Sequence, residues 1–105
     1  MAKLQINAAP TFFADVGIPV AGKGDVPLKL EFKHRTLDEL QAWQKTLGVD
    51  EIKPADFFMS MVKSWEFDEP LTAEHAATFL QNHIGAIGAT KDAYFDNLIR
   101  GRSGN

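Results

Sequence analysis

Hydrophobic and polar residues alternate with period two through the first third of the chain. Leu4 and Ile6 stand between Lys3, Gln5 and Asn7. Phe12, Ala14, Val16, Ile18 and Val20 share one parity, set against Phe13, Asp15, Gly17 and Pro19, and Leu28, Leu30 and Phe32 alternate with Lys29, Glu31 and Lys33. Side chains two apart on a strand share a face, so the pattern predicts about three strands, at roughly 3–7, 11–20 and 27–34, each with one buried side. Ala21-Gly22-Lys23-Gly24-Asp25 supplies the glycines of a hairpin turn. Pro19 and Pro27 cannot donate to a ladder, which places them at a sheet edge or a strand end.

From residue 36 the period becomes helical. Thr36 with Glu39 forms a capping-box signature ahead of Leu40, Trp43 and Leu47, and Gly48 is the expected stop. Pro54 suits the first turn of a second helix, whose apolar face would run through Phe57, Phe58, Met61, Val62 and Trp65 until Glu66-Phe67-Asp68-Glu69-Pro70 breaks it. Thr72 is the expected N-cap of a third helix, with Leu71 placed to pack on Ala76 and an inner face of Ala76, Leu80 and Ile84, flanked by Phe79 and His83. A fourth helix, starting near Ile87 or capped by Thr90, carries Tyr94, Phe95, Leu98 and Ile99 and ends at Gly101. The expected architecture is α+β: a small N-terminal antiparallel sheet packed with a C-terminal bundle of about four helices. It forms a single domain over residues 1–105, with strands in 1–35, helices in 36–100 and a flexible tail at 101–105.

Composition narrows the function. Of 105 residues, 45% are hydrophobic and 24% charged, the balance of one ordinary globular domain. Eleven basic residues against 14 acidic ones leave a net charge of −3, which argues against nucleic-acid and anionic-membrane partners. With no cysteine there is neither a disulfide framework nor a thiol nucleophile. The N-terminal residues hold no apolar signal segment and no stretch approaches the ~20 apolar residues of a membrane span, so a cytoplasmic chain is expected, mature from its first residue.

Candidate chemistry is sparse. His75 and His83 are eight residues apart, about 12 Å along a helix and too far for one metal ion. Glu66, Asp68 and Glu69 lack the spacing of a calcium loop and read as a solvated connection. Gly22-Lys23-Gly24 lacks the rest of a phosphate loop, and Ser60, Ser64 and Ser103 have no evident base. No catalytic residue, metal or cofactor is expected; a hydrolase or isomerase using His34 or His75 as base would need a closed pocket and a shifted histidine. Aromatic residues are more informative. Eight Phe, two Trp and one Tyr are present, and Phe57, Phe58, Met59, Met61 and Trp65 crowd one expected helix over a wider arc than a surface helix needs. Such an arc either lies centrally or offers part of itself to a partner, so binding outranks catalysis.

Three segments carry a resemblance. Val26-Pro27-Leu28-Lys29-Leu30-Glu31-Phe32-Lys33-His34-Arg35-Thr36-Leu37-Asp38-Glu39-Leu40, Val62-Lys63-Ser64-Trp65-Glu66-Phe67-Asp68-Glu69-Pro70-Leu71-Thr72-Ala73-Glu74, and Ala93-Tyr94-Phe95 through the Arg/Gly/Asn-rich end are similar to the tail assembly chaperones of long-tailed (siphovirus-like) phages and prophages. The likeness runs over residues 26–105; Ile84-Gly85-Ala86 departs from the family's aromatic–proline-like turn.

The resemblance implies a non-enzymatic role in virion morphogenesis. Such proteins bind the tape measure protein, keep it soluble, and help recruit tail tube subunits through a longer frameshifted form. They act in the host bacterial cytoplasm and are expected to be absent from the mature virion; a homo-oligomer is left open. Phe58, Met61, Trp65 and Phe67 are expected to border the contact surface. The alternative is a structural or adaptor protein of the virion tail, of the tail completion type, which would stay in the particle.

Overall fold

The backbone hydrogen bonds of residues 11–33 are satisfied by one long hairpin. In this computed structural model, which describes residues 4–47 and 52–101, β1 (Thr11–Val20) pairs antiparallel with β2 (Gly24–Lys33) without interruption from Thr11↔Lys33 to Val20↔Gly24. The turn closes with Lys23 N–H donating to the Val20 carbonyl at 2.9 Å, and Gly22 and Gly24 take left-handed backbone (φ 81° and 76°) that only glycine adopts without strain. β2 therefore begins three residues earlier than the alternation alone suggests. The alternation itself holds: Ala14, Val16, Ile18, Leu28, Leu30 and Phe32 are buried on one face.

The third strand comes from elsewhere in the chain than expected. β3 (Val62–Trp65) lies on the other side of β2, through Leu30↔Trp65, Glu31↔Ser64 and Phe32↔Val62, with a bulge between Glu31 and Phe32, giving the order β1-β2-β3. Residues 4–7 form no strand, and Leu4 and Ile6 are 97% and 102% exposed; Lys3 lies outside the described residues. Two alternating apolar residues bury too little to order a strand when the inner edge of β2 is already taken.

The four helices follow their local signals closely. α1 (Leu37–Leu47) opens on a complete capping box: Glu39 Oε1 accepts from Thr36 N–H at 2.8 Å and Thr36 Oγ1 accepts from Glu39 N–H at 3.2 Å. α2 (Pro54–Met61) has Pro54 in its first turn and buries Ala55, Phe58 and Met61. It stops at Met61 because Val62 turns to extended backbone (φ −109°, ψ 126°) and enters β3, so Trp65 is a strand residue and the wide apolar arc expected of one helix is divided between two elements. α3 (Ala73–Asn82) is capped by Thr72, whose Oγ1 accepts from His75 N–H at 3.1 Å. Its buried face ends at Leu80; Ile84, expected on that face, lies past the helix end and is exposed. α4 (Ala86–Arg100) starts ahead of both expected positions, buries Thr90 and Tyr94, and ends on left-handed Gly101 (φ 68°). Gly48 and the tail residues 102–105 lie outside the described residues.

α4 packs along β1, and α2 sits between α3 and α4. Tyr94, fully buried, stacks near Phe12 and Phe32 and meets Trp43 edge-on, with ring centroids 5.5–6.1 Å apart. Trp43 in turn donates through Nε1 to Ser60 Oγ at 3.0 Å, tying α1 to α2. This aromatic core occupies the open end of the hairpin, and at the turn end the start of α4 lies against Pro19 of β1.

Candidate partner-binding surface

Beyond β3 the chain leaves the sheet at Glu66 and crosses to α3, and this crossing is held at three points. Glu66 Oε1 accepts from the Lys29 backbone N–H at 2.8 Å, Trp65 Nε1 donates to the Glu69 carbonyl at 2.7 Å, and His75 Nδ1 lies 2.7 Å from the Pro70 carbonyl. A carbonyl only accepts, so that histidine nitrogen carries the proton. The result is an ordered connection that holds Phe67 out from the body.

Under it lies a second aromatic cluster. Trp65 meets Phe67 edge-to-face at 5.1 Å; Phe67 lies 5.4 Å from Phe79, Trp65 lies 5.8 Å from Phe79, and His83 stands 5.4 Å beyond Phe79. Phe58 closes the cluster from beneath, 6.0 Å from Trp65 and 5.9 Å from Phe79. Edge-to-face contacts of this kind add roughly 0.5–1.5 kcal/mol each beyond burial, so the floor is firm.

Two open hollows flank Phe67. One, of about 210 Å³, is lined by Trp65, His75, Thr78 and Phe79; the other, of about 380 Å³, by Ile18, Val20, Val26 and Leu28 at the turn end of the hairpin. Phe67, Phe79 and His83 border both. Phe67 is 42% exposed and Val26 40%, so the rim between the hollows is apolar and wet. The groove can take up aliphatic or aromatic side chains; it has the shape and chemistry of a docking surface.

The four residues expected at a contact surface thus part company. Phe58 and Met61 have no exposed surface at all and support the groove from the core, because α2 turns both inward beneath β3. Trp65 is half-buried and Phe67 exposed, and these two reach the groove. Phe79 and His83, seen in the sequence as the shoulder of a helix, prove to be shared wall. Their i, i+4 spacing was the available signal. The contribution of Val20 and Val26 had no local signal, since it depends on how the hairpin end meets α3.

The Glu31 carboxylate is bound within the sheet. Glu31 Oε2 accepts from Thr11 Oγ1 at 2.7 Å and Oε1 from Ser64 Oγ at 2.8 Å, a bridge across all three strands. These hydrogen bonds hold its carboxyl below the usual range. Among the described residues no three His, Asp or Glu side chains gather as a metal site would need, and no helix is long and apolar enough to cross a membrane.

The chain is thus a small α+β body that carries an open apolar groove. Over its whole length, residues 1–105, the chain matches the family model described as phage tail assembly chaperone, and it belongs to that family. A chaperone family implies a non-enzymatic role and protein partners in the tail. No curated protein and no solved structure matches the chain.

Proposed function

We propose that this protein is a non-enzymatic chaperone that docks the tape measure protein on its Trp65–Phe67 groove, keeps it soluble, and helps bring tail tube subunits to it through a longer frameshifted form. The observation that carries this reading is Phe67, held exposed between two apolar hollows by a connection pinned at Glu66, Glu69 and Pro70. An extended helical client with apolar stripes aggregates unless small partners cover it, and an apolar helix face laid in a groove is the natural contact. Release at assembly requires each contact to be weak, on the order of µM or about −8 kcal/mol. Many copies along one client then supply avidity. The work takes place in the host cytoplasm, before the virion is complete.

Co-expression with the tape measure protein tests the reading. The client stays in the soluble fraction with the wild-type chaperone and precipitates with Phe67→Ala. Equal solubility with both variants would refute the groove assignment, and finding the protein by mass spectrometry in purified virions would favour a structural tail subunit instead.

A further inference from the structure

The two hollows beside Phe67 differ in chemistry. The larger is walled by the aliphatic side chains of Ile18, Val20, Val26 and Leu28. The smaller is walled by the rings of Trp65, Phe67 and Phe79 and bordered by Glu69. Those rings meet at steep angles: 83° for Trp65 on Phe67, 78° for Trp65 on Phe79 and 60° for Phe67 on Phe79. We infer that the smaller hollow takes a lysine or arginine side chain of a docked helix, and the larger an aliphatic one a turn away, so that the pair straddles Phe67. This rests on the groove being the client's contact surface, and it names the residue pair that the groove selects.

Charge at the rim favours a cation. Glu66, Asp68 and Glu69 flank Phe67 along the crossing from β3 to α3, and all three are exposed. The Glu66 carboxylate accepts from the Lys29 N–H and is held at the sheet. Among the described residues Glu69 is engaged only through its backbone carbonyl, which accepts from Trp65 Nε1, so its carboxylate is free for a ligand. The one ion pair among these residues, Arg100 with Asp96, lies on α4, and no Lys or Arg lines either hollow. The negative charge beside Phe67 is therefore uncompensated, and a basic side chain of the partner complements it.

An aromatic wall suits the rest of such a side chain. The methylene stem of a lysine buries against ring surface while its ammonium group stays in water at the rim. A cation close to a ring face is also drawn to it by the negative face of the π-system. A glutamate in the same place would instead face the Glu69 carboxylate at close range and be repelled. Helix geometry fits two adjacent hollows: residues i and i+4 have Cβ atoms about 6 Å apart, which lets their side chains pass on either side of one phenyl ring.

Binding of Ala-rich helical peptides of about 18 residues, five turns, to the full chain tests this. All carry the same leucine stripe and differ at one stripe position, filled by Lys, Leu or Glu. Anisotropy of a dye on the peptide reads the Kd at about pH 8, where histidine is ordinarily neutral. At low salt the Lys peptide is expected to bind about fivefold or more tighter than the Glu peptide, with the Leu peptide between them. The gap should close towards 1 M salt, where charges more than about 3 Å apart are screened. Glu69→Lys, at an exposed position whose backbone bond is kept, removes the preference for Lys, and Phe67→Ala weakens all three peptides. A preference for Lys that survives Glu69→Lys, or three peptides that bind alike and are all weakened by Phe67→Ala, would overturn the inference and leave the groove as the contact surface. Peptides that do not bind, or that bind Phe67→Ala as tightly as wild type, would overturn the groove reading and this inference with it.

Discussion

The Tyr94 hydroxyl donates to the carbonyl oxygen of Lys33 at 2.8 Å, joining the middle of α4 to the last residue of β2. The Tyr94 hydroxyl oxygen itself accepts from Arg35 Nη1 at 2.9 Å, and the Arg35 guanidinium lies over the Trp43 ring at 4.5 Å. One buried phenol therefore fixes how sheet and helices meet. Tyr94→Phe keeps the ring and leaves the carbonyl and the guanidinium without this partner, and is expected to lower stability by about 1–3 kcal/mol in urea unfolding.

Alkali gives a second view of the same group. Burial pushes the Tyr94 phenol above its ordinary value, with the Arg35 hydrogen bond opposing in part. An acid whose folded pKa is raised stabilises the fold fully below its unfolded value, here about 10, and that stability is lost as pH rises through the folded value. Tyr94 is the one tyrosine in the chain, so phenolate absorbance reports it alone. The phenolate is expected to appear late and together with unfolding, and Tyr94→Phe should remove this contribution to the alkaline loss of stability. A titration at the ordinary tyrosine value in the folded protein would contradict the buried placement.

Phe58 and Phe67 belong to one aromatic cluster yet should behave in opposite ways. Phe58 is wholly buried, so Phe58→Ala is expected to cost about 3–5 kcal/mol and to unfold much of the protein at growth temperature. Phe67 is exposed; Phe67→Ala should cost less than about 1.5 kcal/mol while weakening client binding by about tenfold or more. Melting curves with a client pull-down separate the two. A Phe67→Ala protein that binds normally would move the contact surface elsewhere.

The parts that could be read from sequence are those whose determinants are local. The Thr36–Glu39 box, Pro54, Thr72 and Gly101 each act within one turn of helix, and the alternation of β1 and β2 is long enough to define a face. Val62–Trp65 misled because Phe57, Phe58, Met61, Val62 and Trp65 continue a helical spacing without a break. What makes those last four residues a strand is the free edge of β2 at Leu30–Phe32, a tertiary partner. Leu4 and Ile6 misled in the other direction, since their alternation has no partner within the monomer. The groove was half legible for the same reason: an excess of aromatics marks Trp65 and Phe67, whereas its sheet wall exists only once the turn end of the hairpin faces Phe79 and His83 across the hollow.

Acid should act through Glu31. Its carboxylate is favoured by the Thr11 and Ser64 hydroxyls, which lower its pKa from the ordinary 4.5. A lowered folded pKa gives stability that is present above the unfolded value and lost as pH falls through the folded one. Carboxyl-carbon NMR should find Glu31 titrating below the ordinary range. Thr11→Val with Ser64→Ala should return it towards that range and flatten this part of the acid limb. A carboxyl that titrates alike in both proteins would show that the three-strand bridge does not hold in solution.

Two glycines three residues apart should respond to alanine with opposite signs. Gly85 sits where α4 begins against β1, and a Cβ there would come within 2.9 Å of Pro19 Cγ and 3.3 Å of Pro19 Cβ. A proline ring in a paired strand cannot swing aside, so helix and strand must separate, and Gly85→Ala is expected to cost about 1–3 kcal/mol. Gly88 lies inside α4 with open space where its Cβ would go, so Gly88→Ala relieves the backbone entropy cost of glycine in a helix and should add about 0.5–1 kcal/mol. In a domain of this size each kcal/mol moves the melting temperature by about 4–8 °C, so thermal unfolding resolves both. If Gly85→Ala proved neutral, α4 would have to lie farther from Pro19 than the fold places it, and the packing that positions the hairpin's turn end would need revision.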